Sequence, residues 1–489
     1  MKGLIAIIAV LSEEEKRDFL LHLGRKNRRT DTKNTTLFKL IDAGKTENID
    51  VLLYGKPAKN SYHALCKRLQ DSLIDFVASN SFAGETSEEL ETLKLLLASR
   101  IFFERKQYKI AFKTLERAEN FAKLTDMYSI LNEIYHTKLQ YAHLNSRLIF
   151  SESIQAAEEN MRLYQQDFRL NKALAVIKSE LKHENHGSIY ELIQTSFSEF
   201  QIKIDTALTY KSLFQLMEIT ATAARLQSDY YSIAPFMLQT YEIIKQKGDF
   251  KDKHRFYHIS ILNLLAITHF RNKKFERSIE FANKMEIEMK KGNRNLYKRF
   301  LVKLVIIKAL NLNYTGKAKL AIPLLTKFKN EALDLKLLLV MCMFQQSEFA
   351  LAYQNLRALY HSDVWYEKKT GKIWVIKKNI IEILLLIEMD KLDLVLGRLL
   401  SFKRRFAKFL GEIGEQRVLT FMNLVNRYYE NPVAVISSDF KDEVEHSFDW
   451  LEKEQEDIFV MSFYAWLKAK MQREDIYKIT LQLVGAPIN

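Results

Sequence analysis

The stretch of residues 258–285, HISILNLLAITHFRNKKFERSIEFANKM, constrains the fold of this chain more than any other. Apolar residues recur at helical spacing from Ile261 through Leu265 to His269, and again from Phe275 through Ile279 to Ala282. Between them lies the polar turn signal Arg271-Asn272-Lys273-Lys274. The pattern predicts two antiparallel helices. A lone pair cannot bury both apolar faces, so neighbouring pairs of the same kind are expected on either side.

The rest of the chain supplies them. Thr86 and Glu89 form a capping-box signal, after which Leu93, Leu96, Ala98, Phe102 and Phe103 load one helix, and Tyr108, Ala111, Leu115 and Ala118 a second. Small residues at Ala111 and Ala118 let two helices approach closely. A third pair covers residues 332–344 and 349–360, with Phe349, Ala352 and Leu356 at the offsets seen after Tyr108 and Phe275. Phe275 and Phe349 lie 74 residues apart, two units of 37, and Tyr108 and Phe275 lie 167 apart, five units of about 33. Between the pairs, helices are predicted over residues 128–141, 146–164, 168–182, 190–202, 207–226, 229–247, 295–312 and 318–328. Further helices follow over 374–389, 392–409, 415–429, 441–454 and 457–470. With 489 residues, five prolines and fourteen glycines, the chain suits helices joined by short polar turns, an all-α class.

Residues 1–85 lack the repeat spacing. A helix with Phe19, Leu20 and Leu23, the basic loop Arg25-Lys26-Asn27-Arg28-Arg29, a short helix over 36–41 and a long amphipathic helix with Tyr62, Leu65, Leu69, Leu73, Phe76 and Val77 read as a small bundle or cap. A helix-turn-helix DNA reader is a variant of that reading without a defined recognition helix. Residues 86–440 read as the array and 441–489 as a closing helical cap, rich in Phe448, Leu451, Ile458, Phe459, Phe463, Trp466 and Leu467. The sharper alternative for that segment is a partner-docking groove.

The short apolar run before Ser12 resembles a weak secretory signal, but it lacks a small-x-small cleavage site and Ser12 to Glu15 reads at once as a helix start, so a cytoplasmic location is expected. No segment offers the uncharged length of a bilayer span. The two cysteines, Cys66 and Cys342, sit far apart in apolar patterns, arguing against a disulfide framework or a cysteine-rich metal site.

No glycine-rich phosphate loop is present. His254 and His258 share a helical face but lack a third ligand, and His183 and His186 beside Glu184 lie in a loop, so neither set is expected to hold metal. No catalytic residue and no cofactor is expected. The net charge of +14 is spread among 60 acidic residues. Three basic clusters are candidate partner-binding groups: Lys290, Lys291, Arg294, Lys298 and Arg299; Lys368, Lys369, Lys372, Lys377 and Lys378; and Lys403, Arg404, Arg405 and Lys408. Interleaved Tyr297, Phe300, Trp365, Tyr366, Trp374, Phe402 and Phe406 are either stacking platforms for single-stranded nucleic acid or inter-helix packing, and packing is the favoured reading.

The offsets resemble the tetratricopeptide repeat family in three units: Leu95, Ala98, Ser99, Phe102, Tyr108, Ala111, Leu115 and Ala118; Leu262, Leu265, Ala266, His269, Phe275, Ser278 and Ala282; and Leu339, Val340, Met343, Phe349, Ala352 and Leu356. No Trp opens the first helix, the usual Gly is Ser99, Ala266 or Val340, and Ser278 takes an alanine place, so the resemblance is to a divergent member. The layout is also similar to long helical-repeat proteins of Bacteroidota. The resemblance implies an elongated α-solenoid and a non-enzymatic scaffold or adaptor that binds a protein or peptide, an acidic one given the basic clusters. Nucleic-acid binding through the same clusters is the alternative.

Overall fold

A computed structural model describes residues 4–5, 7–8, 11, 13–26, 33–45, 48–79, 85–145, 149–180, 189–205, 208–227, 230–247, 254–291, 294–328, 332–413, 415–447 and 456–485. The Ser12 cap, the Thr86 side chain, Asn27, Arg28 and Arg29, the His183, Glu184 and His186 group, and Phe448 and Leu451 fall outside the described residues. Among those described, all regular structure is helical. The chain forms two compact units, Met1–Ser99 and Arg100–Asn489, divided inside the Glu85–Glu104 helix.

In the first unit the Glu13–Lys26, Lys33–Asp42, Ile49–Tyr54 and Lys59–Ser79 helices enclose one core. Phe19 sits at its centre, 5.2 Å ring to ring from both Phe38 and Phe76. Leu4 and Ile8 of the apolar opening run are buried in the same core. The Ile49–Tyr54 helix has too few residues to show a period, which hides it in the sequence.

The second unit is built from helix pairs, each helix packing mainly on its neighbours in sequence. The clearest are Arg255–Arg271 with Phe275–Lys291, Arg294–Tyr314 with Ala318–Lys327, Leu333–Gln345 with Phe349–Arg357, and Lys372–Glu388 with Leu392–Glu412. Their turns share one geometry. Lys273 takes a left-handed conformation, φ +58°; its N–H bonds the Phe270 carbonyl and the next N–H, of Lys274, bonds the His269 carbonyl, both at 2.9 Å. The same two bonds recur at Lys106 and Gln107, at Ser347 and Glu348, and at Asp390 and Lys391. This is the Schellman ending, which satisfies the last carbonyls of one helix and launches the next.

Glycine is the usual residue in that left-handed place because a Cβ is strained there. Gly316 holds it in one pair, while Lys106, Lys273, Ser347 and Asp390 hold it in others. Ser347 is exposed. Ser347→Gly is therefore expected to raise stability by about 1 kcal/mol, seen as a higher denaturant midpoint. A lower midpoint would mean that the added freedom of the unfolded chain outweighs the relieved strain.

Three residues into the second helix of each of these four pairs stands a position with no exposure at all: Ser278, Ala321, Ala352 and Val395. Here the two helices of a pair cross, and the side chains are small in three pairs and no larger than valine in the fourth. Ser278 uses its hydroxyl as well, donating to the Ala266 carbonyl at 2.8 Å and accepting from Asn311 of the next pair at 2.9 Å. From Phe275 to Ala318, Phe349 and Leu392 the second helices begin at steps of 43, 31 and 43 residues. The interval of 74 is thus one long and one short step, and a fixed period of 37 does not hold.

Other expectations also change. Residues 146–164 and 168–182 are not two helices; Phe150–Glu180 is one helix of 31 residues, because Gln165, Gln166 and Asp167 include no residue that breaks a helix. The Asp363–Thr370 helix, capped by Ser362, lies in the gap left between the helices expected over 349–360 and 374–389, and a further helix, Ile476–Val484, follows Ile458–Gln472.

Candidate partner surface and buried ionic clasp

The three basic clusters meet carboxylates from their own chain. Lys290 pairs with Glu286 at 3.0 Å and Lys291 with Glu288 at 2.7 Å; Arg299 lies 4.5 Å over the Phe256 ring, Lys298 is exposed, and the Arg294 side chain is outside the described residues. The second and third clusters come together on the acidic face of the Asp363–Thr370 helix. Glu367 takes Lys372 at 3.7 Å and Arg405 at 3.1 Å, and buried Lys378 bridges Asp363 and Glu382, both at 3.2 Å. Lys408 reaches Glu412 at 3.8 Å, Lys369 lies 5.8 Å over Trp365, and Lys368, Lys403 and Arg404 are exposed. Lys377 alone of these residues lines a cavity with Arg271 and Asp457. The interleaved rings of Phe300, Tyr366, Trp374, Phe402 and Phe406 are buried, so they pack between helices and do not form a stacking platform.

His254 and His258 go to different partners. His254 faces Asp126 at 3.8 Å and lies 4.3 Å, ring to ring, from a tilted Tyr210, while His258 faces Glu288 at 3.9 Å. Burial first, then Arg255 and Lys291, push His258 down to about 4 against the pull of Glu288, so its imidazole is neutral at pH 7. Among the described residues no group of three metal-ligating side chains converges, and no helix is long and apolar enough to cross a membrane.

The most connected feature lies in the segment that reads in sequence as a closing cap, and what it covers is a face shared by several pairs. The hairpin of Ile458–Gln472 and Ile476–Val484 packs against the first helices of the four pairs above. Ile458, Met461, Leu481 and Val484 share a core with Phe270, Leu310, Leu335 and Cys342. Polar bonds join the hairpin to three of the four, and the Leu333–Gln345 helix meets it through Leu335, Leu338 and Cys342. The Arg271 guanidinium meets Asp457 at 2.5 Å, sandwiched between the rings of Tyr230 at 4.4 Å and Phe459 at 4.6 Å. Lys273 reaches the Glu456 carbonyl at 2.5 Å. Tyr314 and Ser462 share a hydrogen bond of 2.7 Å, and the Tyr477 hydroxyl donates to the Asn313 carbonyl at 2.5 Å. The Trp466 indole donates to Glu388 at 2.5 Å, and Lys470 joins the same carboxylate at 2.6 Å.

Arg271 and Asp457 side chains are 7% and 1% exposed. Burial opposes the Arg271 charge, and Asp457 outweighs it, so the guanidinium stays above its ordinary range. Asp457 also caps its helix, accepting from the Phe459 N–H at 3.0 Å. The two partners of this clasp are 186 residues apart in sequence. Arg271 reads locally as a turn residue and Asp457 as a helix start, so neither carries a signal of the other.

Beside the clasp lies a partly enclosed cavity of about 90 Å³, formed by residues of the Tyr210–Gln227, Arg255–Arg271, Lys372–Glu388, Leu392–Glu412, Gln416–Glu430 and Ile458–Gln472 helices with Glu415 and Asp457. Set beside known protein families, curated proteins and solved structures, the chain matches none of them, so the fold and these sites are the whole basis for a functional reading.

Proposed function

We propose that the protein is a non-enzymatic interaction scaffold, a divergent tetratricopeptide-like array that receives helical protein segments. The observation that carries the reading is the 458–484 hairpin: the face made by the first helices of four successive pairs holds a two-helix ligand supplied in cis. It supports a partner of matching chemistry, an apolar helix stripe bracketed by acidic and hydroxyl groups. The exposed basic side chains Lys368, Lys403 and Arg404, with half-exposed pairs such as Arg405 and Glu367, suit an acidic partner on the outer surface. Exposed ion pairs are worth at most about 1 kcal/mol and exchange partners at little cost. A cytoplasmic location belongs to the same proposal, since Cys66 and Cys342 are both buried free thiols that suit a reducing compartment.

Co-purification of the full chain from its own cells, followed by cross-linking mass spectrometry, tests this. A protein partner cross-linked to lysines of the array is the expected result. Nucleic acid as the sole co-purifying material, with sub-micromolar binding that weakens steeply as salt is raised, would overturn it in favour of the alternative.

A further inference from the structure

The cavity beside the clasp has two chemically different walls. Ile373, Ile376, Ile380, Val418 and Phe463 make one apolar; the other presents four cations, Arg225, Arg271, Lys377 and Arg417, with two carboxylates, Glu415 and Asp457. Two of the four cations are matched by carboxylates. Arg271 has Asp457 at 2.5 Å, and Arg417 has Glu456 at 2.8 Å and Glu415 at 3.9 Å. Lys377 and Arg225 have no carboxylate within 4 Å among the described residues; Lys377 instead lies 4.3 Å over the Phe459 ring. An ammonium beside two arginines, with Asp457 and Asp334 near enough to act on it but no carboxylate in contact, is an arrangement that an anionic ligand would relieve.

We propose that this cavity binds a small organic anion, a carboxylate on a short apolar body, with the charge taken by Lys377 and Arg225 and the body by the isoleucine wall. Size and lining agree. An apolar protein cavity of about 150 Å³ accommodates one benzene ring. This one, at about 90 Å³ with one open side, holds a short aliphatic chain or one edge of a ring. Binding sites for small ligands are commonly of this kind, apolar with a few convergent charges. The site goes beyond the scaffold reading and does not depend on it.

The state of Lys377 gives the site a characteristic response to pH. Burial first, then Arg271 and Arg225, lower its ammonium to about 7, with Asp457 and Asp334 pulling the other way. An anion favours the charged form, so the bound lysine titrates higher than the free one. Affinity is then level below pH 7 and falls as pH rises above it, by up to about tenfold per unit until the bound lysine itself titrates.

Isothermal titration calorimetry of the full chain with hexanoate and with benzoate tests this, with inorganic phosphate and cyclohexanol as controls for charge and body alone. Saturable one-site binding with a dissociation constant of about 0.1–1 mM is expected for at least one carboxylate at about pH 6.5, and weaker binding for both controls. At about pH 8.5 the affinity should drop about tenfold or more, with proton uptake visible as a dependence on buffer ionisation enthalpy. Lys377→Met and Arg225→Gln should each weaken binding about tenfold or more. Because Lys377→Met removes a cation from a half-buried place, it should fold at least as well as the parent, so loss of binding cannot be laid to unfolding. Lys377→Arg, which stays charged, should bind and lose the pH dependence. Absence of saturation at about 10 mM carboxylate, or unchanged affinity in Lys377→Met, would overturn the proposal.

Discussion

Asp457→Ala is expected to lower the unfolding free energy of the unit formed by residues 100–489 by about 3–5 kcal/mol. The loss has two parts. Arg271 is left as a buried cation whose remaining charged neighbours in the cavity include Lys377 and Arg417, and a helix N-cap worth about 1 kcal/mol disappears. Asp457→Asn retains a capping oxygen and should recover that smaller part. The double replacement Arg271→Met with Asp457→Leu removes both charges and should lie much closer to the parent than Asp457→Ala, because a buried pair costs most when broken on one side. Denaturant titration followed by near-ultraviolet circular dichroism reads all three. If Asp457→Ala falls within about 1 kcal/mol of the parent, the pair does not anchor the hairpin.

Trp466→Ala should cost about as much, 3–5 kcal/mol by the usual range for a buried aromatic cut to a methyl group. Trp466 has no exposed surface, packs edge-on against Tyr428 at 5.2 Å and donates its indole N–H to Glu388. Glu388 keeps Lys470 after the change, so most of the loss is packing and little is a stranded charge. Trp466→Phe fills most of the volume and should cost only about 1–2 kcal/mol. Equal losses for the two variants would assign the effect to the hydrogen bond and would refute the packing account.

Legibility in the sequence followed the range of the interactions. The pair over residues 255–291 was readable because Phe275, Ser278 and Ala282 lie within two helical turns of one another and repeat an offset seen elsewhere. The period was blurred because the steps alternate between 43 and 31 residues. The places of the turns were readable from polar residues, but their left-handed endings were not, because charged or hydroxyl residues stand where glycine would mark them, at Lys106, Lys273, Ser347 and Asp390.

The candidate surface fared worse for a physical reason. A basic run shows up in a chain wherever lysines are adjacent; some of the acids that answer it stand a turn away on the same helix, as Glu286 does for Lys290, but others come from distant helices. Arg405 meets Glu367 across 38 residues. Arg271 meets Asp457 across 186, and Lys377, read as one of five surface lysines, lines a cavity whose walls come from six helices. Periodicity reports which face of one helix is buried; it says nothing about which distant segment buries it.

The hairpin that covers the first helices also dictates an order of events during synthesis. Its residues leave the ribosome after the first helices of all four pairs, the last of which ends at Glu388. From there to Val484 the chain grows by 96 residues, roughly 5–20 s at ordinary elongation rates. Throughout that interval Phe270, Leu310, Leu335 and Cys342 lack their covering side chains and present an apolar face to the cell. A nascent chain paused at this stage is a natural client for a chaperone, and a stop codon between residues 388 and 458 would yield a product with that face permanently open.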